Sequence, residues 1–194
     1  MRCSIFIDGN NFYYGLKSIY PDNKQLMLFN YEKLCNFLAG DKEIIRICYY
    51  NAPLDITKDL EKYKSQQRFF EKLKKIPKMN LVLCRLLKRI VDGRIFYVLK
   101  EDDINMAVDL VKGAFKNEYD TAILISGDGD FVPAVKVAQE ENKKIENIYF
   151  KKTASSNLRF NCDKSILLKK EILDKFFDPE KSKEVKKVSV EEKK

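Results

Sequence analysis

The stretch Ala122–Phe131, A-I-L-I-S-G-D-G-D-F, constrains this chain more than any other. Its apolar run stops at Ser126-Gly127, and two carboxylates follow at Asp128 and Asp130. A short apolar run bounded by turn residues reads as a buried strand of a parallel sheet, which commits the chain to an α/β class. Gly127 and Gly129 let the backbone turn sharply and approach another group closely. Asp128 and Asp130 then stand on a tight loop above the sheet, where open α/β folds place ligands. The same acids also suit the N-terminus of the helix that follows. The motif alone does not choose between site and cap.

The rest of the chain repeats the pattern of strand, turn and helix. Residues 2–7 (R-C-S-I-F-I) read as a first strand ending at Asp8-Gly9-Asn10-Asn11, so an acid again follows a buried strand. Helices are expected from Asn11 through Leu16 and from Tyr31 to Leu38, with Gly40 ending the second. Glu43–Tyr50 reads as a second strand. Thr57–Lys75 reads as a charged helix whose thin apolar face suits one edge of the sheet. Asn80–Leu87 reads as a third strand that runs on to Asp92-Gly93 and returns along Arg94–Leu99. Asp-Gly between apolar runs signals a type I′ hairpin. This basic hairpin carries Arg85, Lys88, Arg89 and Arg94, either as a phosphate-contacting arm or as an edge ribbon protected by its charges. A helix over 104–116, the strand at 122–126, a helix over 131–141 and a strand over 144–150 follow. Ser155 opens a final helical stretch with apolar residues at 166, 167, 168 and 172. Residues 178–194 are too polar to build a core and read as a flexible tail, which leaves one domain over residues 1–177.

Several chemistries are excluded by composition. The chain of 194 residues has no histidine, which removes imidazole-based nucleophilic catalysis, histidine-mediated RNA cleavage and HExxH zinc hydrolysis. The five cysteines are scattered without a C-x-x-C pair, so they read as reduced and buried thiols. No apolar run is long enough to span a bilayer, and the N-terminus lacks the features of a signal peptide. A cytoplasmic protein with no membrane partner is expected. The formal net charge of +8 favours a polyanionic partner, although a lysine-rich solvated surface accounts for it equally well.

The acids mark separate segments that a parallel sheet can bring together. Asp8 ends the first strand, Asp128 and Asp130 follow the fourth, and Asp103 heads the helix between the third and fourth. If the first and fourth strands are neighbours, all four face one crevice at the switch point. Such a cluster is mutually repulsive without cations. Carboxylates without histidine suit Mg²⁺ or Mn²⁺, which are hard ions that bind substrate phosphates and activate water toward a phosphodiester. Asp109 lies six residues after Asp103, about 240° round the helix, so these two do not share a ligand.

Taken together, I-D-G-N-N-F at 7–12, K-E-D-D-I-N-M-A-V-D-L at 100–110, Y-D-T-A-I-L-I-S-G-D-G-D-F-V-P at 119–133 and S-S-N-L-R-F-N-C-D at 155–163 resemble the NYN domain family, and within it the LabA-like branch of the PIN-like nucleases. The resemblance covers nearly all of residues 3–173 in order. It implies a PIN-like three-layer α/β/α fold with a central, mainly parallel sheet of about five strands and the basic hairpin as an insertion. It also implies a metal-dependent ribonuclease activity. Carried over position by position, Asp8, Asp103, Asp128 and Asp130 bind the metal and serve catalysis, with Asp102 as a helper. Asn11 orients substrate or a water on the metal. Lys100 fits the pattern as a substrate contact beside Arg89 and Arg94, and Ser126 fits it as a supporting group. Where the family has Lys-Gly-Val-Asp this chain has Lys100-Glu101-Asp102-Asp103, so which acid faces the metal is left open. Asp109 and Asp163 serve equally well as a helix surface residue and a cap.

The expected function is hydrolysis of RNA by carboxylate-held Mg²⁺ or Mn²⁺. The alternative is a nucleic-acid-binding regulatory module that keeps an acidic pocket with little or no turnover. A haloacid-dehalogenase-like phosphatase is weaker, because its motif wants a second Asp where this chain has Asn10. RNA against DNA, endo against exo cleavage, and assembly state, a homo-oligomer included, are not legible.

Overall fold

The computed structural model describes residues 1–22, 26–91 and 94–177, with the backbone alone for 86–91 and 94–100. The expected Asp92-Gly93 turn and the tail at 178–194 lie outside the described residues. Six strands form the central sheet: β1 (Arg2–Asp8), β2 (Glu43–Asn51), β3 (Met79–Leu83), β6 (Thr121–Ile125), β7 (Lys144–Tyr149) and β8 (Lys164–Leu167). Their order is β3-β2-β1-β6-β7-β8, and every neighbouring pair is parallel. The two central strands are the most apolar: β6 is buried throughout, and β1 is buried from Cys3 to Asp8. That is the expected consequence of helices covering both faces.

Side-chain alternation splits these strands between two cores. Cys3, Ile5 and Ile7 of β1, with Ile123 and Ile125 of β6, face the layer made by α1 (Gly9–Lys17), α2 (Tyr31–Ala39), α3 (Leu60–Lys74) and α7 (Lys170–Leu173). Phe6, Ala122 and Leu124 face the layer of α4 (Asp102–Phe115), α5 (Val132–Glu140) and α6 (Ser156–Asn161). The result is a three-layer α/β/α sandwich. Helix α3 buries only Phe70 and Leu73 and packs beside edge strand β3, as its thin apolar face required. Among the described residues no helix is long and apolar enough to cross a membrane. All five cysteines are free, and desolvation pushes the Cys35 and Cys162 thiols up to about 12, where they are unreactive.

Two expectations about strands need correction. The third strand does not run unbroken from Asn80 to Leu87. It leaves the sheet at Cys84, whose buried N–H bonds the Asn51 carbonyl at 2.7 Å. The chain then enters a separate antiparallel ribbon, β4 (Arg85–Val91) with β5 (Arg94–Lys100), in register from Arg85 opposite Lys100 to Val91 opposite Arg94. The stretch after Ser155 is not helical throughout either, because residues 164–167 form the sixth strand, β8, on the edge beside β7. Its Lys-Ser-Ile-Leu is half exposed and carries no strand-like alternation of its own.

Helix α1 is seated by one close approach. Phe12 lies in an aromatic cluster with Phe29, Tyr31 and Phe150 at ring separations of 5.5, 5.2 and 5.3 Å. For Phe150 to enter, Gly15 must have no side chain: a Cβ there would lie 2.2 Å from the Phe150 ring. Gly15→Ala is therefore expected to overpack this core and lower the unfolding free energy by about 1–3 kcal/mol, measured by urea denaturation. A second strained point is Glu101, at φ 77° immediately before α4 and with no side-chain cap bond. Left-handed backbone costs a residue with a Cβ about 1–2 kcal/mol, part of which glycine gives back as unfolded-chain entropy. Glu101→Gly is expected to leave the fold intact and stabilise it by up to about 1 kcal/mol in the same assay.

Candidate active site

From β1 the sheet grows through β2 to β3 on one side, and through β6, β7 and β8 on the other. The topological switch therefore lies between β1 and β6, whose loops diverge at their carboxyl ends and leave a crevice. A cleft of about 280 Å³ opens there. Asp8, Asp102, Asp103 and Asp128 form its acidic wall, and Asn10, Asn11, Tyr14 and Thr153 complete it.

Asp8 is the last residue of β1 and only 8% exposed. One of its oxygens accepts the Asn11 N–H at 2.9 Å, capping α1, and the other accepts the Ser126 hydroxyl at 2.9 Å. Burial pushes the Asp8 carboxyl above its usual range. Those two hydrogen bonds pull the other way, and the charges of Asp102 and Asp128 push it further up. Each oxygen keeps a second lone-pair direction for another partner.

The loop after β6 is held by bonds from three parts of the chain. Ser126 Oγ accepts the Asp128 N–H at 3.1 Å while donating to Asp8, so one hydroxyl links the ends of both central strands. Asn11 Oδ1 accepts the Gly127 N–H at 3.2 Å and the Thr153 hydroxyl at 3.0 Å. Gly127 Cα lies so close to the turn after β7 that a Cβ would stand 1.8 Å from the Thr153 carbonyl oxygen. The Gly127 carbonyl in turn accepts the Ser155 N–H at 2.9 Å. Buried Asn147 donates to the Leu124 and Ser126 carbonyls at 3.2 and 2.8 Å and steadies the carboxyl end of β6.

Asp128 is both a cap and a cleft residue. One of its oxygens accepts the Asp130 N–H at 2.9 Å, capping the 3-10 turn Gly129–Phe131, and its carboxylate borders the cleft. Asp103 and Asp102 enter from the first turn of α4. Partial desolvation raises the Asp103 carboxyl to about 6, with the charges of Asp102, Asp8, Asp128 and Asp130 adding to it. Desolvation also raises Asp102, against backbone N–H groups that lower it. Asp130 is exposed and stands outside the cleft lining, near enough for its charge to reach Asp103.

The other predicted residues divide clearly. Asn11 is at the site, with its amide oxygen tied to the loop. The side chains of Arg89, Arg94 and Lys100 lie outside the described residues; the backbone of Lys100 pairs with Arg85 at the base of the ribbon and leads through Glu101 into α4. Asp109 accepts the Tyr50 hydroxyl at 2.8 Å and does not line the cleft. Asp163 sits at the far, amino end of β7, where it accepts the Ile145 N–H at 2.8 Å and the Gln139 amide at 3.0 Å. Desolvation would raise its carboxyl, but these bonds hold it below the usual range. Tyr14, Asn10 and Thr153 were not foreseen as cleft residues. For Asn10 and Tyr14 the helical spacing of four after a strand-end acid was an available signal, whereas nothing in the sequence around Thr153 announced it.

The donor set is oxygen throughout, which suits a hard divalent cation and not a soft one. Among the described residues no ion pair reaches any of these five carboxylates. Nor do three acid or thiol groups among them stand close enough to enclose an ion unaided. An ion of the Mg²⁺ kind does not require such an enclosure, since it keeps several waters and is held by one or two carboxylates together with substrate phosphate.

The NYN domain model matches residues 2–169. The low amplitude and bright protein LabA of Synechococcus elongatus is 26% identical over 169 residues, covering 85% of this chain and 82% of LabA. A crystallised protein of unknown function from Vibrio parahaemolyticus shares the fold with a TM-score of 0.70 at 24% identity, over 89% of this chain and 95% of that one. With the family model spanning both central strands, the acidic crevice between them and the helices that cover it, this chain belongs to the NYN domain family, a LabA-like member of the PIN-like nuclease superfamily.

Proposed function

We propose that this protein is a ribonuclease that hydrolyses RNA phosphodiester bonds using Mg²⁺ or Mn²⁺ held at the β1/β6 crevice. The observation that carries this reading is the convergence of carboxylates from three chain segments, Asp8, Asp102–Asp103 and Asp128, on one cleft without a cationic partner among the described residues. One or two of Asp8, Asp103 and Asp128 would hold the cation together with waters and substrate phosphate, with the other acids, Asp102 and Asp130 included, adding to the negative field. When bound, the cation supplies a nucleophilic water at neutral pH and offsets charge on the phosphate and the leaving oxygen.

The protein's own groups give that chemistry its geometry. The Ser126 hydroxyl and the Asn11 N–H fix both oxygens of Asp8, and the Asp130 N–H fixes one oxygen of Asp128. Carboxylates held by second partners offer their remaining lone pairs in defined directions, which is what in-line attack on phosphorus requires. Water adds to phosphorus as the bond to the 3′ oxygen breaks, leaving a 5′-phosphate and a 3′-hydroxyl. With no histidine in the chain, proton transfer falls to carboxylates and solvent.

Incubation of labelled single-stranded RNA with Mg²⁺ or Mn²⁺ is expected to give cleavage that EDTA stops and that Asp103→Asn and Asp128→Asn reduce by at least about 100-fold. Ser126→Ala, which releases Asp8 and removes the acceptor of the Asp128 N–H, is expected to cost about 10- to 100-fold. RNA binding without metal-dependent cleavage would instead mark a regulatory module, and cleavage unchanged in the Asp variants would mark a contaminant.

The raised Asp103 carboxyl gives a test independent of turnover. Its protonated form is favoured in the folded, metal-free protein, so the stability it confers is complete below the unfolded value of 3.8 and is lost as pH rises through about 6. The unfolding free energy of metal-free wild type relative to Asp103→Asn should therefore fall between pH about 4 and about 6. Cations need the ionised form, so the rise in melting temperature on adding Mn²⁺ should be largest above pH about 7 and fade below about 6. A pH-independent rise, or one retained in Asp103→Asn, would remove Asp103 from the cation site.

A further inference from the structure

The wall of the cleft opposite α4 is aromatic. Tyr14 borders the cavity yet remains 58% exposed, an unusual position for a large ring on a helix whose neighbouring Phe12 is fully buried. Tyr13, 38% exposed, meets it edge to face with ring centroids 5.3 Å apart and planes at 73°. Lys17 lies over the Tyr13 ring at 5.6 Å, one helical turn further on. The pair therefore forms a braced aromatic surface, and Tyr14 places it next to the carboxylates of the candidate centre.

This surface is continuous with positive charge. The close approach of Gly15 to Phe150 brings α1 directly against the turn that follows β7. That turn carries Lys151 and Lys152, both exposed, and ends at Thr153 on the cleft edge. The cleft acids, an exposed ring and two exposed lysines thus belong to elements that meet at the cleft edge. A ring face beside a backbone-tracking basic strip is the arrangement by which proteins hold unpaired nucleic acid, each base stacking without regard to its identity.

We propose that Tyr14, braced by Tyr13, stacks an unpaired nucleobase next to the scissile phosphate while Lys151 and Lys152 contact the neighbouring backbone, so that the protein selects single-stranded over paired RNA. The assignment rests on the ribonuclease reading for its substrate, and its test is a binding measurement that needs neither metal nor turnover. A base in a duplex has both faces occupied and cannot reach the ring without being flipped out.

The test compares a short, unstructured fluorescent RNA, an abasic ribose-phosphate chain of equal length, and the same RNA annealed to its complement. Affinities are read by anisotropy in EDTA with the full chain. Wild type is expected to bind the base-bearing strand between about 5-fold and about 100-fold more tightly than the abasic one. Tyr14→Ala should lose most of that ratio with its abasic affinity unchanged, Tyr14→Phe should keep it, and Tyr13→Ala should fall between. Lys151→Glu with Lys152→Glu should weaken base-bearing and abasic strands alike. Duplex should bind wild type and Tyr14→Ala equally. The proposal is overturned if Tyr14→Ala keeps the wild-type ratio, if it loses abasic affinity equally, or if duplex binds wild type as tightly as the single strand. Because these readings are taken in EDTA, a failure of stacking leaves metal-dependent cleavage standing, and a failure of cleavage leaves the stacking result standing.

Discussion

Repulsion between carboxylates is the constraint around which this molecule is arranged. Like charges brought into one crevice repel one another, and more strongly as burial takes water away from them. The fold places them there because β1 and β6 are adjacent parallel strands from which the sheet grows in opposite directions, so Asp8 and the loop bearing Asp128 must emerge side by side. The folded chain tolerates a raised Asp103 carboxyl there, pushed up first by desolvation and then by the charges of its neighbours. In the function proposed above, a divalent cation would offset that charge.

That tolerance requires a rigid frame, and the frame is built from backbone. The Gly127–Thr153 approach, the Ser155 N–H to Gly127 bond and the two bonds accepted by Asn11 tie α1, the β6 loop and the β7 turn into one unit. None of these contacts touches a reacting atom. Together they keep Asp8 and Asp128 from relaxing apart, which is the cheapest response of a flexible loop to like charge. The chain as a whole carries the opposite sign, a net charge of +8, which favours polyanionic partners at long range.

What the sequence revealed and what it hid follow from the same physics. The central strands were legible because burial on both faces forces continuous apolar runs, and I-L-I before S-G-D-G-D allows little else. Asp8 and Asp128 were legible because a strand-end acid has few places to point. Strand β8 was not, since an edge strand buries only half its surface and its Ile166 and Leu167 fall into a helix-like spacing with Leu168 and Ile172. The break at Cys84 was hidden because both sides of it are apolar and β-prone, and only the bond to Asn51 shows where the main sheet ends. Thr153 reached the cleft through a turn whose position depends on Phe150 packing against Gly15, a contact between segments more than a hundred residues apart.

Asp128 shows why the choice between cap and site was never a real alternative. A carboxylate has two oxygens and about four lone-pair directions, and capping the Gly129–Phe131 turn uses only one. The cap fixes the side chain's torsions, and a carboxylate with fixed torsions presents its remaining lone pairs at a fixed place. Asp8 repeats the logic at the start of α1, where the Asn11 N–H takes one direction and the Ser126 hydroxyl another. In both cases the cap bond also keeps the acid at the cleft, because an uncapped carboxylate beside several others would turn away from them into water.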